Sequence, residues 1–387
     1  MIAASLVVLT VLAGCSGGGE QRANTVRVAR TIGQGEGALS LVAWPGYTEN
    51  GLSDPRVDWV TPFESRTKCK VNVKYAATTQ EMVGLMSDPG RRYDGISAPP
   101  EVAGQLIAAG EAAPVNPDLV DGFKDLDRDL RSQVTKDEKV YGVPFVWGAN
   151  QLMYDPSRVQ PAPTSWAALF DPAEARKYSG RVVMRDSPLT LADAALYLRS
   201  RDRSLDITDP YSLTRQQLDA AAKVISRQRA HVTSYWLHPS DAINAFADGT
   251  AVLGEVWPYH VDVLSRAGRS VAGVTPKEGV TGWMDSWMIG ARAEHPNCMY
   301  QWLNWMTSPD VQQQVAEWDG VAPANPKACS QDRLKAEFCT TYHVGDRAYI
   351  DKVVFAHAPS RDCGGGRRDC TDFADWTRVW NTAVRER

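Results

Sequence analysis

A chain of 387 residues is longer than one hydrophobic core usually fills, so its length predicts about two domains. A hydrophobic share of 43% indicates a globular protein, and a net charge of −4 lacks the basic field that nucleic-acid binding needs. The mild acidity suits cationic ligands.

Ile2 to Leu12 is an apolar run of 11 residues, followed by Ala13, Gly14 and Cys15. The run is too short to cross a bilayer. Ending on small residues, it reads as a cleaved export signal, and Leu12-Ala13-Gly14-Cys15 resembles the lipobox of bacterial lipoproteins, whose cysteine carries lipid. No Lys or Arg precedes the run, a departure from the usual leader. Residues 16–39, rich in Gly with few large apolar residues, read as a flexible tether. Besides Cys15 there are six cysteines, an even number in a chain expected in an oxidising compartment, so disulfides are expected. Six cysteines allow fifteen pairings. Proximity in sequence suggests Cys329 with Cys339 and Cys363 with Cys370, which leaves Cys69 for Cys298. The rival, a zinc site, lacks support: no C-x-x-C occurs and the six histidines lack ligand spacing.

Ser40 to Trp44 reads as a first strand ending in a Pro-Gly-Tyr turn, and Cys69 to Tyr75 alternates as a second strand should. A helix-like stretch begins at Trp59 to Phe63, Glu81 to Met86 is helical in composition, and Tyr93 to Ser97 is a short strand. Pro99-Pro100-Glu101 then opens a helix through Ala109. Such alternation predicts a parallel α/β sheet, with ligands beyond the carboxyl ends of its strands, where Trp44, Tyr47 and Glu101 fall. Lys139 to Asp155 is strand-like and carries the chain to a second α/β unit: strand Gly180 to Arg185, helices Leu191 to Arg199 and Gln216 to Arg229, strand Ala251 to Trp257. Thr275 to Gly290 brings it back, and two crossings predict a hinge with a cleft. Met299 to Met306, Pro309 to Trp318 and Asp372 to Val384 read as helices.

The return crossing carries the densest signal. In an extended strand Trp283, Asp285 and Trp287 point to one face, where a carboxylate between indoles would hold an ammonium. A strand with two core tryptophans and a hydrogen-bonded acid reads the same in one dimension. For an enzyme the sequence offers little: beyond the leader and the first tether residues, where Gly14 to Gly18 happen to spell G-x-S-x-G, neither that motif nor G-x-C-x-G, the P-loop or G-x-G-x-x-G occurs, so acyl transfer, hydrolysis and nucleotide chemistry have no anchor. A sugar receptor is the stronger alternative, since aromatic walls also stack on pyranose rings.

Six segments in order carry a family resemblance: AWPGY (Ala43 to Tyr47), CKVNVKYAATTQEMVGLM (Cys69 to Met86), YGVPFVWGANQLMYD (Tyr141 to Asp155), LADAALYL (Leu191 to Leu198), PKEGVTGWMDSWM (Pro276 to Met288) and HPNCMYQWLNWM (His295 to Met306). Over roughly Ser40 to Arg387 the chain resembles periplasmic-type solute-binding proteins of the spermidine/putrescine branch, the extracytoplasmic receptors of ABC importers. The resemblance implies a type II two-lobed α/β fold, each lobe a mixed, mainly parallel sheet flanked by helices and joined by hinge strands. It divides the chain into a signal peptide (1–15), a tether (16–39), a first lobe (40–142 with 281–325), a second lobe (143–280) and a C-terminal helical segment spanning both (326–387). It further implies a monomer that binds a small amine, meets a permease and its ATPase, touches the membrane by its lipid anchor alone, and uses no cofactor, metal or catalysis.

Residue by residue, the resemblance puts Trp44 and Tyr47 in the first lobe's aromatic wall, Trp257 in the second lobe, and Trp283 with Asp285 around an amine at the hinge. Glu101 keeps a carboxylate where the family turn has Ser-Gly-Asp. Where spermidine receptors place two acids around a second amine, this chain has Asp186, Ser187 and Thr190, and Val321 replaces a tyrosine. Simpler roles are available to two of these, Trp44 as core at a strand end and Asp186 as a helix cap; Glu255, alternating with Trp257 on one face, reads as a cleft charge or a surface acid, and Trp147 as cleft lining or lobe filling.

Overall fold

The alternating stretch Ala38–Ala43 becomes the centre of a parallel trio, flanked by Lys70–Tyr75 and Gly95–Ala98. Helices Val60–Thr67 and Thr79–Ser87 connect these strands, and Pro100–Ala109 follows the last of them. Their ends follow local chemistry. The Thr78 side chain accepts from the Glu81 N–H, and Pro100 opens the third helix where its missing N–H costs nothing.

In this computed structural model residues 28–330 and 333–385 are described; the expected signal segment and its Cys15 lie outside them. The larger sheet runs Ala322–Pro323, Val143–Ala149, Val280–Gly290, Gly95–Ala98, Ala38–Ala43, Lys70–Tyr75, with Val353–Phe355 and Ala112–Ala113 pairing the two ends of Val280–Gly290. Its strand pairs are parallel among Gly95–Ala98, Ala38–Ala43 and Lys70–Tyr75 and antiparallel where Val280–Gly290 meets Gly95–Ala98 and Val143–Ala149. The smaller sheet runs Val232–Trp236, Val182–Arg185, Leu253–Val256, Gln151–Tyr154, Ala272–Val274, backed by helices Leu191–Arg201 and Arg215–Gln228.

The chain passes between sheets at Asn150, between Val143–Ala149 and Gln151–Tyr154. There the Asn150 N–H donates to the Thr281 carbonyl at 2.8 Å and its side-chain amide to Thr281 Oγ1 at 2.7 Å, so the two crossings are stitched side by side. Several elements had no periodic signal. Val232–Trp236 is an edge strand with exposed Thr233 and Ser234, and the short pieces between Ala112 and Val140 are too brief to show a period.

Part of the stretch expected as tether is held by the fold. Glu36 accepts from the backbone N–H groups of Asn297 and Cys298 at 2.9 Å each, an acid set against the start of helix Pro296–Met306. Gly35 crosses the Cys69–Cys298 disulfide so closely that an added Cβ would sit 2.5 Å from Cys69 Sγ. The other bridges join Cys329 to Cys339 and Cys363 to Cys370. The C-terminal segment touches both sheets' helices. Tyr342 donates to Asp262 at 3.1 Å, Arg347 pairs with Asp129, and helix Phe373–Arg385 stacks Trp376 on Tyr211 and sets Trp380 edge-on to Tyr235.

The Cys69–Cys298 bridge closes a loop of sequence separation 229. Removing it by Cys69→Ala with Cys298→Ala lowers stability by about 5 kcal/mol on the loop-entropy account. Urea unfolding of the oxidised and mutant proteins measures the loss; equal midpoints, or a free thiol at either position in peptide maps, contradict it.

Candidate functional site

Strand Ala38–Ala43 ends at the larger sheet's carboxyl edge and turns at once through Trp44-Pro45-Gly46-Tyr47, with Gly46 at φ 96. The turn swings Tyr47 back into the protein. Its ring meets Phe145 edge-on at 5.2 Å between centroids, and its hydroxyl donates to Asp285 Oδ2 at 2.8 Å. Asp285 comes from the middle of Val280–Gly290 and is only 5% exposed. Burial pushes its carboxyl from 3.8 up to about 7, with the charge of Glu101 adding to the rise and the Tyr47 hydrogen bond and Arg185 opposing it. The Tyr47 phenol is driven well above its ordinary range by burial and by Asp285 and Asp319.

Trp283, two residues before Asp285, presses on Gly148 of the facing strand, where an added Cβ would lie 2.6 Å from the indole. Its ring is 5.3 Å from that of Trp257, and its Nε1–H is buried without an acceptor. Trp257 opens helix Pro258–Arg266 from the smaller sheet's edge and donates its Nε1–H to Asn150 Oδ1 at 3.0 Å. Tyr47 and Asp285 from one sheet and Trp257 from the other thus converge on the crossing strands. Trp287 does not join them. At 1% exposure it fills the core beside Phe145 and Trp302, because two further residues carry the strand about 7 Å deeper, opposite Ser97 and Val143.

The remaining expected residues divide. Trp44 is half-buried, its N–H donating to Ser97 Oγ at 3.3 Å. Glu101 is buried in the first turn of its helix, within electrostatic reach of Asp285, and burial raises its carboxyl. Asp186 is occupied by the chain's own end: Trp380 Nε1 donates to it at 2.9 Å and Arg385 pairs with it at 3.1 Å. The helix-capping role goes to Ser187, whose side chain accepts from the Leu189 N–H, and Thr190 Oγ1 donates to the Arg185 carbonyl. Trp147 packs on Phe355. Glu255 is fully buried, not a surface acid, and faces Asp193; burial raises both carboxyls, the charge of Asp193 pushes Glu255 up further, and hydrogen bonds from Thr281 and Glu255 with the charge of Arg185 hold Asp193 back.

Three polar residues escaped the sequence reading. Asp319 ends helix Pro309–Asp319 against Gly46, its Oδ2 sealed without a partner and its carboxyl pushed well up by burial and by Glu49 and Asp285. Asn150 joins Trp257 to Thr281. Arg185 holds its guanidinium carbon 5.0 Å over the Trp257 ring. Only Arg185 left a signal, as the last residue of a strand in a parallel pair.

A void of about 10 Å³ is all that packing leaves beside Trp147, Trp257 and Trp283. A larger cavity of about 1680 Å³ lies alongside, walled by Pro100, Gly104, Tyr141, Asp186, Leu237 and the C-terminal helix, without reaching Tyr47 or Asp285. The charges, rather than the larger volume, mark the candidate site, and that site is closed. Among the described residues no group of three or more His, Cys, Asp or Glu side chains is arranged to hold a metal ion.

The family model for bacterial extracellular solute-binding proteins matches residues 58–337. The chain belongs to this family. It is 27% identical to the spermidine/putrescine-binding periplasmic protein of Escherichia coli over 289 residues, covering 74% of this chain and 77% of that relative. Among solved structures it resembles the spermidine/putrescine ABC transporter substrate-binding protein of Streptococcus pneumoniae, with a TM-score of 0.69 and 16% identity, covering 90% and 99% of the two chains. It also resembles a putative spermidine/putrescine ABC transporter protein from Listeria monocytogenes, with a TM-score of 0.70 and 19% identity over 91% and 100%. The solute-binding protein therefore has the type II two-lobed fold, and the cluster of Tyr47, Trp257, Trp283 and Asp285 sits where its lobes meet.

Because the folded carboxyl of Asp285 holds its proton up to about pH 7 and the unfolded one only to about 3.8, its contribution to stability is full below pH 4 and is lost as pH rises through 7. Asp285→Asn, without added amine, therefore gains about 2–4 kcal/mol of stability at pH 8 and much less at pH 5. Urea midpoints at the two pH values check this; a pH-independent difference contradicts it.

Proposed function

We propose that this protein is the solute receptor of an ABC importer and captures an amine-bearing, putrescine- or spermidine-like solute between its lobes, doing no chemistry on it. The observation that carries the reading is the buried Asp285 carboxyl, held by Tyr47 beside the Trp283 and Trp257 indoles with Glu101 and Asp319 in reach. An acid in that setting gains most from a cation. An ammonium supplies the counter-charge that burial removed, and indole faces add roughly 0.5–2 kcal/mol while keeping water out. The relatives named for spermidine and putrescine support the same class of solute.

The domain assignment follows. Residues 40–149 with 280–325 form the first lobe, because strands Val143–Ala149 and Val280–Gly290 both pair in the larger sheet, 150–279 form the second, and 326–387 a strap across both; the boundary expected after residue 142 thus moves to Asn150. Entry requires the lobes to part, since little space remains around the aromatic cluster. The amine end is well furnished and the far end is not: Asp186 is engaged by Trp380 and Arg385, and Ser187 and Thr190 stand where a second ammonium would need acids. A short or singly charged amine therefore competes well with spermidine. No helix among the described residues is long and apolar enough to cross a membrane. Attachment would rest on lipid at Cys15.

Amine binding needs Asp285 ionised and so expels its proton. Affinity for putrescine rises with pH up to about 7, by at most about tenfold per unit, and Asp285→Asn weakens it roughly 10- to 100-fold. Isothermal titration in buffers of different ionisation enthalpy reads both affinity and proton release. Unchanged affinity in Asp285→Asn rejects the charge-based reading and favours a sugar, which needs only an acceptor there.

Mass spectrometry of membrane-extracted protein is expected to find a mature N-terminus at Cys15 carrying lipid. A mature product that retains Met1 to Gly14 rejects the anchor.

A further inference from the structure

Strand Val182–Arg185 ends where Asp186 joins the wall of the larger cavity, and the side chains of Arg185 and Asp186 part company. Asp186 turns to Trp380 and Arg385 of the C-terminal helix. Arg185 lies over Trp257, the indole whose ring is 5.3 Å from that of Trp283. Among the described residues its guanidinium enters no ion pair and no hydrogen bond, so its N–H donors are uncommitted while the indole holds it. The acids around it are Asp193, Glu255, Glu101 and Asp285. Asp193 and Glu255 face each other under full burial and are pushed toward the protonated form, so neither is a full counter-charge.

A guanidinium in this position has two consequences for a solute whose amine lies against Asp285. It takes the Trp257 face that a second ammonium would use, and its charge repels that ammonium. Its planar fork matches a carboxylate, which two parallel N–H donors can grip. Resting on the placement of an amine at Asp285, we propose that Arg185 receives a carboxylate at the far end of the solute. The cleft then selects a molecule with a separated amine and carboxylate, an ω-amino acid, over a diamine.

Three ligands with one carbon chain and different far ends test this: 4-aminobutanoate, putrescine and butylamine, with 5-aminopentanoate, cadaverine and pentylamine as the longer set. Titration calorimetry of the wild type is expected to give the amino acid an affinity at least about tenfold above the monoamine, with the diamine no tighter than the monoamine. Arg185→Met is expected to erase the first gap and to raise the affinity for the diamine. Arg185→Lys, which keeps the charge and loses the fork, is expected to fall between; with the wild type it decides the matter should Arg185→Met fail to fold. A diamine that binds wild type most tightly, or a gap unchanged in Arg185→Met, overturns the assignment to Arg185 and leaves the amine reading standing. If none of the six binds, both readings fall.

Discussion

Taking the Asp285 carboxyl out of water raises the free energy of its anion by several kcal/mol unless some partner replaces the lost hydration. The surroundings replace it only in part. Tyr47 donates one hydrogen bond, while Glu101 pushes the carboxyl further toward protonation, and Asp319 is raised in turn by Asp285. A site that stores unfavourable burial in this way is relieved by whatever brings positive charge to it. On the reading proposed for Asp285, a cation is the best available remedy, which is how a receptor can prefer its bound state without changing its ligand.

The strain is held by the hinge. Trp257 is tied to Asn150, Asn150 to Thr281, and Thr281 Oγ1 donates to Asp193, which lies against Glu255. This chain of contacts runs from an indole at the cleft, across both crossing strands, into the buried acids of the smaller lobe. Movement of the lobes must therefore act on the groups that orient Trp257. Charge in the cleft and lobe geometry share one network.

The C-terminal segment constrains the same cleft from outside. Phe373–Arg385 buries Trp376 and Trp380 against the second lobe, and through Trp380 and Arg385 it claims the carboxylate of Asp186. Residues 356–360 reach helix Pro100–Ala109 of the first lobe, where an added Cβ on Gly104 would lie 2.3 Å from the Ala358 side chain. One wall of the large cavity is thus made by a segment that touches both lobes.

The order of strands and helices from Ala38 to Ala109 was legible from alternation and turn residues alone, since these depend on neighbours a few positions apart. The spacing that sets Trp283 beside Asp285 was legible for the same reason. What local pattern could not decide was the partner of each side chain. Trp287 has the same spacing from Asp285 as Trp283, yet one indole sits by the cleft and the other in the core, because depth along Val280–Gly290 depends on which strands it pairs with. Asp186 reads as a site acid or a cap until a tryptophan 194 residues later donates to it. The same holds for Arg185, an ordinary strand-end arginine until Trp257 comes beneath it. Period and propensity act within a segment and are written in it. Charge pairing, burial and reach act across the fold, and only the tertiary structure assigns them.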